Sequence, residues 1–292
     1  MAEFFHRLLA FFTKIFGEKI FSYGAILIAG GFFLFSPRMV LSGIYFYRQI
    51  FPDKNFFYLS ACVWKQFKNF TTVFLDRFLM LEKGKVEYTS TGRSNLDDLV
   101  DNKKGAIILM SHMGNWEIAA HLLKKKGTEI LLYMGIKNKE QLEKMQKTSL
   151  VQSGIKIIAV EKDGGSPYDI IEGINFLKKG GVVAMTGDRI WKQDQKSVKI
   201  KFLDHEASIP EIPFVLSLLS GAPILIFFAF RTGKSSYSFS FSEPRYVEPA
   251  DRKARKEKIS ETAQWYADKL EASLREHPFE WYHFDKFLGH RM

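Results

Sequence analysis

The chain has 292 residues, of which 46% are hydrophobic and 25% charged, and its formal net charge is +10 at pH 7. One large domain with an appendage is the simplest organisation for this length. A single cysteine, Cys62, excludes an intrachain disulfide, and the positive charge indicates an anionic partner such as phosphate headgroups, an acidic protein or nucleic acid.

Residues 1–36 are the most hydrophobic part of the chain and predict a membrane anchor. Phenylalanine and leucine alternate with basic residues as far as Phe16, and the stretch from Ile20 to Pro37 carries no charge. Its length is close to the minimum for a helix that crosses a bilayer. A transmembrane helix, a helix in the membrane interface and a helix packed on the protein are all compatible with this pattern. No small-residue cleavage site follows, so we do not expect a cleaved signal peptide.

Residues 37–83 are predicted to form a helical region that packs on the domain after it. Pro37 opens one helix, Phe51-Pro52-Asp53 interrupts it, and a second helix runs from about Lys54 to Leu81 with aromatic residues at helical spacing. Asp76 and Arg77 lie inside the apolar part of the second helix. They predict either an ion pair between helices or a contribution to a substrate site.

Residues 84–292 alternate between strand and helix patterns, which predicts an α/β fold with a mixed, largely parallel sheet flanked by helices. Strands are expected at 86–89, 105–111, 129–134, 155–160, 181–186, 198–203, 223–230 and 236–242. Helices are expected near 94–102, 115–126, 138–153, 166–179 and 210–220, and a final helix ends near Arg275.

The stretch from Gly105 to Glu117 contains the first candidate site. The apolar run Ala106–Met110 predicts a buried strand, Gly114-Asn115 a turn, and Trp116 the start of a helix. His112 would therefore lie at the carboxyl end of a strand, where α/β sheets place their ligands. If the turn lies between them, His112 and Glu117 converge as a general base and the carboxylate that orients it. On spacing alone, a structural histidine is equally compatible.

Three later blocks carry further candidates. Asp188 and Arg189 follow the strand 181–186 and would lie beside His112 if the two strands are parallel; Arg189 suits an anionic group or an oxyanion, or forms a salt bridge. Ser208 lies in a predicted loop that opens a helix, whose amides could face a phosphate. Near the end, Trp281, Tyr282 and His283 predict a membrane-interface belt or a packing clamp.

These blocks resemble a known family. The sequence Ser-His-Met-Gly-Asn-Trp-Glu at 111–117 resembles the His-x4-Asp/Glu block of the lysophospholipid acyltransferase superfamily, and its Gly-Asn-Trp-Glu part is similar to the bacterial lipid A late acyltransferases. Gly187-Asp188-Arg189, the stretch from Phe202 to Ala207 and the stretch from Gly221 to Ile224 resemble the second, third and fourth family motifs. Gly-Asp-Arg is closer to a sister branch of predicted acyltransferases, where the lipid A enzymes often have Pro-Asp-Gln.

The resemblance implies transfer of an acyl chain from acyl carrier protein or a coenzyme A thioester to a lipid hydroxyl. The acceptor would be a glycolipid such as a lipid A precursor or, alternatively, a lysophospholipid, aminolipid or polyene lipid. It implies no cofactor and no metal, and a location on the cytoplasmic side of the bacterial inner membrane. The implied catalytic residues are His112 and Glu117, and the implied substrate or oxyanion residues are Arg189, Asp188, Asn115, Gly114 and Ser208.

Readings from other classes remain. A noncatalytic lipid-binding protein at the membrane surface would use the same basic character. Nucleic-acid binding is disfavoured because the phenylalanines lie in apolar runs rather than between basic residues on strands. A hydrolase with Ser111 as nucleophile would lack the Gly-x-Ser-x-Gly turn. The sequence does not decide the oligomeric state.

Overall fold

The computed structural model describes residues 18–83, 86–125, 127–135, 154–160, 167–190, 195–233, 236–249 and 251–291. The helix predicted at 138–153 lies outside these ranges. The chain divides into two compact units. The described parts of 1–87, 231–237 and 273–286 form the first, here called the helical unit, and the remaining described residues form the second, the sheet unit.

The helical unit begins with α1 (Glu18–Phe35), α2 (Pro37–Ile50) and α3 (Phe56–Lys83). Both predicted breaks are confirmed, because Pro37 opens α2 and Phe51-Pro52-Asp53 separates α2 from α3. The core of this unit includes Tyr47, Leu59 and Cys62, so the cysteine is a buried apolar side chain as predicted.

No single helix in the described ranges is both long and apolar enough to cross a bilayer. Ile26–Phe35 and Pro37–Ile50 satisfy that requirement together, but the two segments meet at an angle of 93°. The membrane anchor over 1–36 therefore stays a prediction.

The chain segment near the carboxyl end completes the helical unit. Trp281 and Tyr282 are buried, Tyr47 Oη donates a hydrogen bond of 2.9 Å to the Pro278 carbonyl, and Gln66 Nε2 donates one of 2.5 Å to the Trp281 carbonyl. The aromatic ending is thus a packing clamp, and the interface-belt alternative is wrong for these two side chains.

The elements that follow α3 are β1 (Glu87–Thr91), α4 (Arg93–Asp101), β2 (Ala106–Met110), α5 (Trp116–Lys125), β3 (Ile130–Gly135), β4 (Lys156–Val160), α6 (Pro167–Lys178), β5 (Val182–Thr186), β6 (Ser197–Phe202), β7 (His205–Pro210), α7 (Ile212–Ser220), β8 (Ile224–Gly233), β9 (Ser236–Phe241) and α8 (Arg255–Glu276).

The sheet unit contains a seven-stranded sheet in the order β1-β9-β8-β2-β5-β3-β4. Strand β2 is parallel to β5 and β8, and β3 is parallel to β4 and β5. The prediction of an α/β fold with a mostly parallel, mixed sheet flanked by helices is confirmed.

Strand β7 corrects the prediction for the stretch around Ser208. This segment pairs with β6 in a separate two-stranded antiparallel sheet, where the sequence predicted a loop opening a helix. Leu203 and Asp204 connect the strands with φ values of +48° and +59°, the left-handed conformation of a two-residue hairpin turn. Helix α7 begins only at Ile212, after the strand has ended.

Asp76 of α3 is buried in the helical unit and forms an ion pair. Its Oδ2 accepts a hydrogen bond of 2.8 Å from Arg231 Nε and another from the Tyr237 hydroxyl. Burial raises the pKa of the Asp76 carboxyl, against the opposing effects of Tyr237 and Arg231. Asp76 therefore forms an ion pair, but its partner Arg231 lies on β8 and not on a second helix as predicted. The side chain of Arg77 is not among the side chains that the structure describes.

The turn between β2 and α5 depends on Gly114. This residue has φ +67°, and a Cβ atom there would lie 2.0 Å from the Ala229 carbonyl oxygen of β8. The same oxygen accepts a hydrogen bond of 2.8 Å from the Asn115 amide. The predicted turn is confirmed, and only glycine allows β8 to approach it this closely.

We expect Gly114→Ala to destabilise the protein more than Gly221→Ala. Gly221 also has positive φ, +76°, but open space surrounds the position of its Cβ. The control Gly221→Ala should lower the free energy of unfolding by about 1–2 kcal/mol through backbone strain. Gly114→Ala should lower it by at least about 1 kcal/mol more, because it also displaces the hydrogen bond between the Asn115 amide and the Ala229 carbonyl. Chemical denaturation measures both, and equal losses would contradict the close approach of β8.

Candidate active site

Two neighbouring strands bring the main candidate residues together. Strands β2 and β5 are parallel with Met110 opposite Thr186, so their carboxyl ends lie at the same edge of the sheet. His112 follows the first strand by two residues and Asp188 follows the second by two. The prediction that these residues lie side by side if the strands are parallel is confirmed.

Asp188 binds His112 through both carboxylate oxygens. Oδ1 lies 2.8 Å from His112 Nδ1, and Oδ2 accepts a hydrogen bond of 2.8 Å from the His112 amide. Asp188 is 0% exposed, whereas the His112 side chain is 22% exposed. A carboxylate on Nδ1 places the proton of the neutral imidazole there and the lone pair on Nε2. The arrangement suits a general base whose imidazolium form is stabilised by a buried negative charge.

Tyr266, a residue that the sequence did not reveal as part of the site, binds the backbone of the strand that leads to His112. The Met110 carbonyl accepts hydrogen bonds of 2.9 Å from the Gly187 amide and 2.9 Å from the hydroxyl of Tyr266 on α8. Burial raises the pKa of Tyr266 well above its usual range, and the nearby Asp188 charge raises it further. The Tyr266 hydroxyl therefore stays protonated and acts as a donor.

Gly187 allows the Tyr266 ring to approach the strand end. A Cβ atom at position 187 would lie 2.7 Å from a Leu109 methyl and 3.2 Å from the Tyr266 ring. The glycine of the Gly-Asp-Arg block is thus explained by packing beside Asp188.

Glu117 lies in the first turn of α5, as predicted, and its side chain is partly buried. A carboxylate at this position is stabilised by the positive end of the helix dipole. The sequence assigned the orientation of His112 to Glu117, but the carboxylate observed on Nδ1 is that of Asp188. The pairing of His112 with Glu117 stays a prediction.

The other predicted site residues lie in two places. Gly114 and Asn115 form the turn after His112, where the Asn115 amide is bonded to Ala229, and Arg189 follows Asp188 and is partly buried. Ser208 lies in β7, which is outside the seven-stranded sheet, and pairs with Lys199. The loop predicted around Ser208 is therefore wrong, because the segment forms a strand, and a phosphate-binding role for Ser208 stays a prediction.

Ser111 does not have the environment of a nucleophile. It is 1% exposed, and its Oγ accepts a hydrogen bond of 3.3 Å from the Met113 amide. This buried hydroxyl supports the turn that carries His112, which leaves the hydrolase alternative without structural support.

Comparison with known families identifies the kind of enzyme. The model of the bacterial lipid A biosynthesis acyltransferase family matches residues 48–288. The chain belongs to this family. It is therefore an acyltransferase, and the matched region includes His112, Glu117 and Asp188. Among curated proteins, no significant match to the chain was found.

We expect Asp188→Asn to lower kcat by about 10⁴-fold, the order of effect seen when the carboxylate of a catalytic triad becomes an amide. The asparagine oxygen would accept from the His112 amide, so its NH₂ group would face Nδ1 and move the imidazole proton to Nε2. The matched control is Asp97→Asn, which removes a carboxylate bonded to Arg93 at 2.7 Å on α4. Steady-state rates with a thioester donor distinguish them, and an acyltransferase rate within tenfold of wild type for Asp188→Asn would contradict this role.

Proposed function

We propose that the protein moves a fatty acyl chain from an acyl carrier protein or coenzyme A thioester to a hydroxyl of a glycolipid acceptor such as a lipid A precursor. Membership of the family supports acyl transfer to a lipid. The observation that carries the mechanism is the buried Asp188 carboxylate on His112 Nδ1, because it leaves Nε2 as the basic nitrogen of the ring.

In the first step, His112 Nε2 takes the proton of the acceptor hydroxyl while the hydroxyl oxygen attacks the thioester carbonyl. The imidazolium that forms is stabilised by Asp188, which has no contact with solvent to weaken the interaction. Glu117, the acidic residue of the His-x4-Glu block, is proposed as the second carboxylate of the catalytic site.

The attack produces a tetrahedral intermediate with a negative oxygen. Arg189 follows Asp188 directly, and we assign it to that oxyanion because a fixed guanidinium stabilises developing negative charge. When the intermediate collapses, the carbon–sulfur bond breaks and the thiolate takes the proton from the imidazolium. The products are an acyl ester and a free thiol, and the histidine returns to its neutral form.

The helical unit supports association with a membrane. Exposed apolar side chains are concentrated on α1, α2 and the start of α3, with Leu41 at 61% exposure and Phe57 at 81%. On α2, Arg38, Leu41, Tyr45 and Arg48 recur at helical spacing on one exposed stripe, with cations at both ends. An apolar stripe with flanking arginines fits the boundary between lipid headgroups and acyl chains.

The charge distribution favours anionic lipids. Residues 1–85 contain eleven Lys and Arg against five Asp and Glu, which accounts for six of the ten net positive charges of the chain. Most of the exposed large apolar side chains among the described residues lie in the same part of the chain. We propose the cytoplasmic face of the bacterial inner membrane as the location.

The function is tested by mass spectrometry of total lipids from cells that carry wild type, a deletion, or His112→Ala. We expect one lipid class to lack a single acyl group in the deletion and in His112→Ala, which also identifies the acceptor. His290→Ala changes an exposed histidine and should restore the wild-type lipids. Glu117→Gln tests the second carboxylate in the same assay. A normal lipid profile for His112→Ala beside an altered deletion strain would disprove catalysis through His112.

We expect Leu41→Glu to weaken binding to vesicles of phosphatidylethanolamine and phosphatidylglycerol by about tenfold or more. Losing a leucine side chain that is buried in lipid costs about 1.5–3 kcal/mol, and the new glutamate charge is repelled by the anionic surface. Leu219→Glu is the matched control, because Leu219 is an exposed leucine on α7 of the sheet unit. Sedimentation over a range of lipid concentrations measures both, and equal affinities would rule out the α2 stripe as a lipid contact.

A further inference from the structure

We propose that Tyr266 is a positioning residue for the His112–Asp188 pair and acts by fixing the backbone from which His112 projects. The inference rests on the proposed function, since it assigns Tyr266 to the reaction of that site. It concerns a residue of α8 that lies 156 positions from its hydrogen-bond partner Met110 and outside every motif that the sequence presented.

The need for such a residue follows from the way in which β2 leaves the sheet. Pairing between β2 and β8 ends at Leu109 opposite Ile226 and resumes as a single bridge between Gly114 and Ala229. The β2 side advances five residues between these points and β8 only three. The additional residues bulge out of the ladder, and His112 is one of them.

The backbone groups in this bulge need hydrogen-bond partners other than those of β8, because the β2–β8 ladder is interrupted there. The Met113 amide donates to the Ser111 hydroxyl, and the His112 amide donates to Asp188. The Met110 carbonyl, which opens the bulge, accepts from Gly187 and from Tyr266. The hydrogen-bond partners of Met110 and His112 thus include two groups that follow β5, the Gly187 amide and the Asp188 carboxylate, and one from α8, the Tyr266 hydroxyl.

The two hydrogen bonds at Met110 connect both halves of the catalytic pair. Gly187 directly precedes Asp188, and Met110 is two residues before His112. Tyr266, on α8, donates a hydrogen bond to the same Met110 carbonyl oxygen. Rotation of the Met110 peptide would move His112 relative to Asp188, and it would have to break this hydrogen bond. The ring also packs on Gly187, where there is no side chain to separate them.

The test compares Tyr266→Phe with Tyr47→Phe. Both hydroxyls belong to fully buried tyrosines and donate to a backbone carbonyl at 2.9 Å, but Tyr47 binds Pro278 in the helical unit. Each variant keeps its ring and loses one hydrogen bond, so each should lower the unfolding midpoint by about 2–4 °C. We expect only Tyr266→Phe to lower kcat, by about tenfold, with the KM values for donor and acceptor unchanged.

The second readout is proton NMR of protein labelled with ¹⁵N-histidine. The proton between His112 Nδ1 and Asp188 should give a downfield resonance that disappears in His112→Ala. We expect this resonance to broaden or shift in Tyr266→Phe and to stay unchanged in Tyr47→Phe.

The outcomes separate the two proposals. A wild-type kcat and an unchanged resonance in Tyr266→Phe would overturn the positioning role, as would equal kcat losses in both variants. If the wild-type protein transferred no acyl group, the proposed reaction would fail, while the resonance would still report whether Tyr266 positions the pair.

Discussion

The burial of one carboxylate is the constraint on which the site depends. Asp188 is fully inaccessible to solvent, and an ionised carboxylate in such a place is tolerated only when its oxygens are bound by donors. The backbone and the ring of His112 each bind one of its oxygens. That arrangement requires β2 and β5 to be parallel neighbours in the observed register. Strand β2 lies in the middle of the sheet, and every one of its side chains is buried.

The candidate catalytic residues and most of the exposed large apolar side chains among the described residues lie in different units. The sheet unit contains His112 and Asp188, and the His112 amide, the Met113 amide and the Met110 carbonyl beside them are all hydrogen-bonded. The helical unit carries the exposed leucine, phenylalanine and tyrosine side chains, and most of the excess positive charge lies in the same stretch of sequence. Such a division suits an enzyme whose reaction must exclude water and whose acceptor is a lipid. The reaction requires polar groups that are buried, whereas contact with lipid requires apolar groups that are exposed.

The largest error of sequence interpretation concerned β7. The turn before it is formed by Leu203 and Asp204, although left-handed residues at hairpin turns are usually Gly or Asn. Leu203 is held there by its amide, which donates to Glu271, and by its carbonyl, which is bonded to the His205 ring. Glu271 lies on α8 and His205 on the following strand. Because the residues from 203 to 208 do not reveal these contacts by themselves, their sequence predicts a loop.

The sequence by itself determined the α/β class, the helix breaks at the prolines, the buried strands and the position of His112 at a strand end. These features depend on local periodicity and on backbone restrictions, which operate over a few residues. Only the tertiary structure decided which carboxylate reaches His112 Nδ1. Glu117 is close in sequence, whereas Asp188 is brought to the ring by the order and register of two strands. The contact of Tyr266 with Met110 was also decided by the tertiary structure. A contact between segments 156 positions apart produces no periodic pattern in the sequence from which it could be predicted.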